Sequence, residues 1–505
     1  MKKLFLFSAA LSLSAGMWAE TQKVSYVYPV YNTDGVATSG IKEWGTDSVD
    51  ATVVENASAQ VTWNAGWYVV KGKDVNLTQG AVCAGAVNII LVDTAKLTAT
   101  GASNQTGIQV SGEGNSLTIY GQTNQSGQLE ANGGKYAAGI GGGNKANGSN
   151  ITINGGIVTA TGLSGGAGIG GGAQGAGSYI TINAGQVTAT GREQAAGIGG
   201  GTRGNGSNIT INGGMVTANG GDYAAGIGGG NLASCSNITV NGGTVTATAG
   251  GDAAGIGSGQ GGSCTNITIN GGTVTATGGK NGAGIGGGAR GSGSDITING
   301  GIVTATGGEY AAGIGGGIGS RCYNIAISDG IVITIGGINA PGIGCGYGCT
   351  TPAANVTVAI SLTVYADNTN PPTTEILHTG DSDIATFITK RYVTIKDVAT
   401  GLKKDAIDAI NATIDDADND NIKAVAADAA TAINATTSTA EINTIKTFAL
   451  AAIASARAAY NSGQAELLGA MATPAAGQSV IVTDGTTTVK LYNPTSVTYH
   501  KEEAE

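Results

Sequence analysis

The sequence predicts a mainly β fold, a parallel β-solenoid with 29-residue coils, and three observations carry that prediction. The tract Gly-Ile-Gly recurs with its isoleucine at Ile140, Ile169, Ile198, Ile227, Ile256, Ile285, Ile314 and Ile343, every step being 29 residues. A fixed period of that size marks a solenoid or an array. Each unit also holds two stretches that alternate with period two. Ile151 and Ile153 flank Thr152, and Val158 and Ala160 alternate with Thr159 and Thr161. β-Branched residues at period two signal strands, and the Asn-Gly-Gly between the stretches signals a turn. Finally, the chain carries 90 glycines, far too many for helices, and they sit at fixed spacing rather than at random.

The elements follow in chain order. Met-Lys-Lys, the apolar run Leu4 to Leu13 and the small residues up to Ala19 form a secretory signal pattern over 1–19, with cleavage expected after Ala19. The run is too short to span a bilayer, and no transmembrane segment is expected. Residues 20–84, with Trp44, Trp63 and Trp67, are expected to cap the solenoid, because an open sheet edge needs cover. The solenoid itself is expected over 85–398 as about ten coils. One coil has about five inward apolar side chains, worth roughly 1.5–3 kcal/mol each. Ordering its residues costs on the order of 1.5 kcal/mol apiece. Only stacking closes that gap, and it places identical positions in ladders at about 4.8 Å spacing. Ile140 and its equivalents form one inward ladder, and Val158, Val187, Val216 and their successors form another. Ala137 to Gly143 is expected as a third short strand or corner.

Near residue 400 glycine gives way to alanine, isoleucine and aspartate. Leu402, Ile407, Ile410, Ile414, Ile422, Val425, Ile433, Ile442, Ile445, Phe448 and Ile453 have helical spacing, which predicts a three-helix module over 399–462. Ser438-Thr439-Ala440-Glu441 is a capping box for the third helix. The segment 463–505 returns to strand character. Val480 to Thr483, Asp484-Gly485 and Thr486 to Leu491 predict a hairpin.

The Ile-Asn-Gly-Gly-x-Val-Thr-Ala-Thr-Gly unit resembles glycine-rich repeats in secreted bacterial proteins and the carbohydrate-binding β-helix family of cellulose-degrading clostridia. The helical stretch around Ala435 to Asn443 resembles the alanine-rich three-helix modules of bacterial surface adhesins. The first resemblance implies glycan binding, and in that family an Asp near the turn before the isoleucine goes with calcium. Those positions here read Lys135, Ser164, Glu193, Asp222, Gly251, Lys280 and Glu309, so no metal site is carried over. No cofactor is expected.

Function is therefore sought in what varies between coils. Variation concentrates five and four residues before each isoleucine and in the loop after each Gly-Gly-Gly, such as Asn144 to Gly148. Tyr136, Tyr223 and Tyr310 share the position four before the isoleucine and are the candidate ligand-binding residues. Tyr179 and Tyr323 are read as sharing a place ahead of an inward isoleucine. A tyrosine offers a ring face and a polar tip, which suits a sugar. The expectation is an exported, non-enzymatic, adhesin-like binding protein, secreted, at the cell surface or in the periplasm, with a polysaccharide or glycan as partner. Acidic residues do not share a register in adjacent coils except near the variable position before the isoleucine, His378 and His500 lie far apart, and Asp416 to Asp420 lacks the Gly and Glu that would complete a calcium loop. A net charge of −10 gives no basic face for nucleic acid.

Three alternatives stay open: a purely structural spacer, a polysaccharide-degrading β-helix enzyme, and an ice-binding protein. The last rests on outward files such as Thr159/Thr161 and Thr188/Thr190, which resemble flat ice-binding arrays but are interrupted by Asn219 and ended by Ile333 and Ile335. Cys235 and Cys264 are one period apart, so they are the disulfide candidate. Cys349 is taken as the better mate for Cys322.

Overall fold

A computed structural model describes residues 21–30, 43–349, 354–359, 362–376, 389–414, 420–435, 439–461, 479–483 and 488–492. The leader over 1–19, both histidines, Ser438, Asp416 to Asn419 and the Asp484-Gly485 turn lie outside the described residues.

The architecture is a parallel β-solenoid of about nine coils with coils of about 29 residues. Each coil has three strands. In one coil they are Gly148–Ile153, Ile157–Leu163 and the two-residue Ile169–Gly170. The first and third kinds stack in one sheet and the second kind in another, 13-stranded sheet. Registers run without slippage along the middle of the stack. Ile151 pairs with Ile180, Ile180 with Ile209, and Ile209 with Ile238. Val158, Val187, Val216 and Val245 pair likewise, as do Ile140, Ile169, Ile198 and Ile227. All three ladders are buried and share one continuous core.

The third strand is short because glycine surrounds it. Gly141, Gly170, Gly199 and Gly228 hold φ between 131° and 134°, where side chains are disfavoured. The first strand contains a residue in the left-handed region just before its inward isoleucine, usually Asn: Asn150, Asn208, Asn237 and Asn266. Asn tolerates that conformation best after Gly. Tyr179 occupies the same position with φ 52°, whereas Tyr323 pairs with Ser294 one place earlier. The two tyrosines therefore do not share a register, contrary to the expectation from sequence, because one precedes Ile180 directly and the other precedes Asn324.

At the turn between the first two strands, asparagines form a side-chain ladder. Asn183 Nδ2 donates to Asn154 Oδ1, Asn212 to Asn183 and Asn241 to Asn212, all at 2.7 Å. Asn270 and Asn299 continue it at 2.8 and 2.9 Å. Asn212→Ala removes one donor and one acceptor, and leaves both neighbours short of a half-buried partner. It is expected to destabilise by about 2 kcal/mol in urea unfolding, since each net hydrogen bond is worth roughly 1 kcal/mol. A loss below about 0.5 kcal/mol would mean water replaces the rung at no cost.

The ends depart from the parallel rule. Thr21–Val30 and Glu43–Val53 form an antiparallel hairpin. Tyr26 packs its ring against Trp67 and Tyr120, with centroids 4.7 Å apart in each case. The parallel ladder already includes Val61–Val70, which pairs with Ala81–Leu91, and Val75–Leu77, which pairs with Lys96–Thr100. At the far end, Ile331–Ile335 pairs antiparallel with Tyr392–Asp397, which pairs antiparallel with Leu362–Asp367. The reversal ends the parallel stack in that sheet and covers an edge that would otherwise template another chain.

Three helices follow: α1 (Val398–Asn411), α2 (Asp420–Ala435) and α3 (Thr439–Asn461). Ile410, Ile422, Ile433, Ile442, Ile445 and Ile453 share a small core. Ala449, rather than the expected Phe448, fills the turn of α3 between Ile445 and Ile453 in that core. Ser479–Thr483 and Thr488–Tyr492 pair as an antiparallel hairpin. Among the described residues, no helix is long and apolar enough to cross a membrane.

Candidate ligand-binding surface

The two variable regions of the coil form a single surface. The two-residue strand at Gly-Ile-Gly is flanked by a turn on each side, so the chain runs in and out along the same edge. A backbone hydrogen bond joins the turns. The N–H four residues after one isoleucine donates to the carbonyl four residues before the isoleucine of the preceding coil. Ala173 donates to Tyr136 at 2.9 Å, Gln260 to Tyr223 at 3.0 Å and Tyr347 to Tyr310 at 2.9 Å. Thr202 to Gly165, Asn231 to Gln194, Ala289 to Asp252 and Ile318 to Asn281 continue the run at 2.9, 2.9, 2.8 and 3.0 Å.

Tyr136, Tyr223 and Tyr310 thus stand on one file, three coils apart, at about 14 Å intervals for a ladder step of about 4.8 Å. Tyr136 and Tyr223 are each 38% exposed, while Tyr310 is half-buried. Tyr347, 52% exposed, sets its ring 5.7 Å from that of Tyr310. Lys280 Nζ lies 5.9 Å from the Tyr310 ring centre and 3.7 Å from Glu309 Oε2. The Glu309 carboxylate, hydrogen-bonded to the Tyr310 hydroxyl, pushes that phenol above its ordinary range. Lys135 Nζ sits 4.8 Å from the Tyr136 ring centre. Each end of the file therefore combines a ring face with an ammonium group, and the Tyr310 end adds a carboxylate.

Between the tyrosines the surface is polar. Asp252 accepts from Gln260 Nε2 at 2.7 Å and from Asn281 Nδ2 at 2.6 Å. Exposed Leu232 donates its N–H to the Gln260 carbonyl, next to the turn of Tyr223, and the buried Asn231 has an Oδ1 with no hydrogen-bond partner among the described residues. A buried acceptor without a partner is costly, and a water or a ligand hydroxyl would satisfy it.

The sequence alone singles out the three tyrosines but leaves the two variable loops as separate stripes, and it misses Tyr347 and Asn231. A signal for both exists. They lie four after their isoleucine, and a two-residue strand brings that position to the one four before the preceding isoleucine, Tyr347 to Tyr310 and Asn231 to Gln194.

The threonine files occupy the other sheet, with Thr159, Thr188, Thr217, Thr246, Thr275 and Thr304 in register. Ile333 ends that file. The cysteines are placed as follows. Cys235 pairs with Cys264 in register, with Cα atoms 4.5 Å apart and the sulfurs joined as a disulfide. Cys322 Sγ lies 3.5 Å from Cys345 Sγ, so Cys345 rather than Cys349 is its near neighbour. Cys83 is buried, and burial pushes its thiol up to about 12.

A family model described as a beta helix repeat matches residues 125–144, 151–173, 180–202, 209–231, 238–260, 267–289 and 296–318. Searches of the curated proteins and of the solved structures returned no match. Such repeats occur in enzymes and non-enzymes alike. From residue 151 onward, each matched segment begins at the first strand and runs through the Gly-Ile-Gly turn, so the matched beta helix repeats are the same units that stack in the structure over that stretch of the solenoid.

Proposed function

We propose that this is an exported, non-enzymatic binding protein that takes a polysaccharide along the tyrosine edge of its solenoid. The observation that carries the reading is the stitched pair of turns, which holds Tyr136, Tyr223, Tyr310 and Tyr347 on one rigid edge. Ring faces suit the apolar face of a pyranose, and the amides and carboxylates between them suit its hydroxyls. Weak contacts repeated on several coils add through effective concentration, so a repetitive edge favours a repetitive polymer. The N-terminal leader pattern supports export, and the Cys235–Cys264 bridge suits an oxidising compartment. The resemblance to clostridial carbohydrate-binding β-helices and to adhesin helical modules points the same way.

The test is a glycan array with the mature chain, followed by the triple variant Tyr136→Ala, Tyr223→Ala and Tyr310→Ala. The expected result is binding to a polymeric glycan, weakened at least tenfold in the triple variant, with unchanged far-UV circular dichroism. If the triple variant binds a glycan hit as tightly as the parent, the edge is not the site. A second reading, a rigid spacer, is favoured by the unbroken core that runs from Val54 to Ile395. An array without hits and with a protein folded to its usual melting point would favour the spacer.

A further inference from the structure

We propose that Cys322, Cys345 and Cys349 form a thiol–disulfide exchange site at the C-terminal end of the solenoid. Its substrate is a low-molecular-weight disulfide, with Cys345 as the attacking thiol and Cys322 as the resolving one. The inference is independent of glycan binding.

The positions themselves are unusual. Cys345 stands two residues after its isoleucine, where other coils carry Gly142, Gly171, Gly200 and Gly229. In those coils a side chain has no room: a Cβ on Gly142 would meet Ala146 O at 2.0 Å, and one on Gly171 would meet Gly175 O at 2.0 Å. Cys349 replaces the Ala146 and Gly175 of the same loop, and Cys322 stands in the file of Gly148, Gly177 and Gly206. No other coil puts three thiols around one turn. Each of these places takes a side chain elsewhere, with Ser258, Ser320 and Cys235 in the three files, but only at this end of the stack do thiols fill all three.

The geometry assigns roles. Cys322 is buried in the core, with its Sγ 3.5 Å from Cys345 Sγ. Cys345 and Cys349 are half-buried and open to solvent. The hydrogen bond with Cys322 holds the Cys345 thiol below its ordinary range, against the effect of burial. A bond with Cys349 and the charge of Arg321 add to that lowering. The same bond, and then burial, push Cys322 up. Cys345, which solvent reaches, is therefore placed to attack, and the buried Cys322 beside it is placed to resolve.

The exchange balances in two steps. The Cys345 thiolate attacks one sulfur of a disulfide RS–SR, the S–S bond breaks, and a mixed disulfide Cys345–S–SR forms as RS⁻ leaves. Cys322 then attacks the Cys345 sulfur, passes its proton to the departing sulfur, and releases RSH. Two protein thiols are oxidised to one disulfide, and RS–SR is reduced to two RSH once the first RS⁻ takes up the proton lost from Cys345. The product ties the Ile343 coil to the Ile314 coil, as Cys235–Cys264 ties two coils in the middle.

The test uses the full chain, fully reduced, refolded and treated with oxidised glutathione, then alkylated at intervals and digested. Trypsin has no site between Arg321 and Lys390, but chymotrypsin cuts after Tyr310, Tyr323, Tyr347 and Tyr365 and separates all three cysteines. Mass mapping is expected to show an early glutathione adduct on the peptide with Cys345, then a link between the Cys322 and Cys345 peptides. Cys345→Ser is expected to cut adduct formation in this region at least tenfold, and Cys349→Ser to leave the Cys322–Cys345 link intact. An early adduct that falls equally or mainly on Cys322 or Cys349, or a wild-type link between Cys322 and Cys349, overturns the assignment. The wild-type time course decides the matter even if a variant fails to fold.

Discussion

Gly199→Ala is expected to break the solenoid in its middle, with a loss on the order of 4 kcal/mol, among the largest single-site effects seen in domains. Two causes act together. Gly199 has φ +131°, a conformation that a side chain disfavours. A Cβ there would also stand 2.1 Å from Gly228 O and 3.0 Å from Gly228 C, in the backbone of the next coil. Neither neighbour can step aside, because Gly200 N–H donates to that same Gly228 carbonyl at 2.9 Å. Relief means separating two coils. In a stack where each coil contacts only its neighbours, the damage stays local and the array opens at that seam. Limited proteolysis is expected to cut near the Gly199 and Gly228 turns, and urea unfolding to show the loss. Gly251→Ala is the control. Its nearest neighbour is Asp222 O at 3.1 Å, and it sits in a turn between coils, so a change of less than about 1 kcal/mol is expected. A Gly199→Ala chain that melts within about 2 °C of the parent would show that the turn can shift at little cost.

Much of this fold can be read from the period alone. Once Ile140 and Ile169 are equivalent, every residue between them has a partner 29 places on, and alternation fixes which of them point inward. That is why the Ile151 and Val158 ladders, the cysteine pair in register and the threonine files follow from spelling. Strand direction does not. Leu362–Asp367 and Tyr392–Asp397 alternate like any other strands, and period two reads the same in parallel and antiparallel pairs. Their reversal is decided by the chain's need to close an edge, which is a property of the whole stack. The candidate surface is half legible for a related reason. Tyr136, Tyr223 and Tyr310 share one register and are visible in one dimension. The joining of Tyr347 to Tyr310, and of Asn231 to Gln194, depends on a two-residue strand folding the chain back on itself, so positions eight apart within the period become neighbours across coils. In the helical module, spacing places Ile410, Ile433 and Ile453 in the core, yet does not choose between Phe448 and Ala449, since adjacent residues on a helix differ by only about 100°.

Ile227→Asp is expected to destabilise the chain by about 6 kcal/mol at neutral pH, and to do so in a pH-dependent manner with a defined sign. Ile227 is fully buried, in register with Ile198 below and Ile256 above. Removing it forfeits roughly 1.5–3 kcal/mol of apolar burial. The carboxyl that replaces it has no polar partner in that file, and its charged form is heavily disfavoured there. Burial raises its pKa in the folded state above the unfolded value of about 3.9, and a rise of about three units amounts to roughly 4 kcal/mol. The penalty is absent below the unfolded value, where the group is protonated in both states. It grows as pH rises between the two values and levels off above the folded one. Between about pH 5.5 and about pH 8 the variant is therefore expected to lose about 2 kcal/mol more, relative to the parent at each pH. The lower pH stays clear of the isoelectric point near 4.8, where the protein carries little net charge. Ile227→Asn supplies the comparison: it buries a polar group that does not titrate, so its loss is expected to be the same at both values. Denaturant unfolding of parent and both variants at the two pH values checks the result. Equal losses for Ile227→Asp at the two pH values would show that water reaches the isoleucine file, and that the core is not the closed column its register implies.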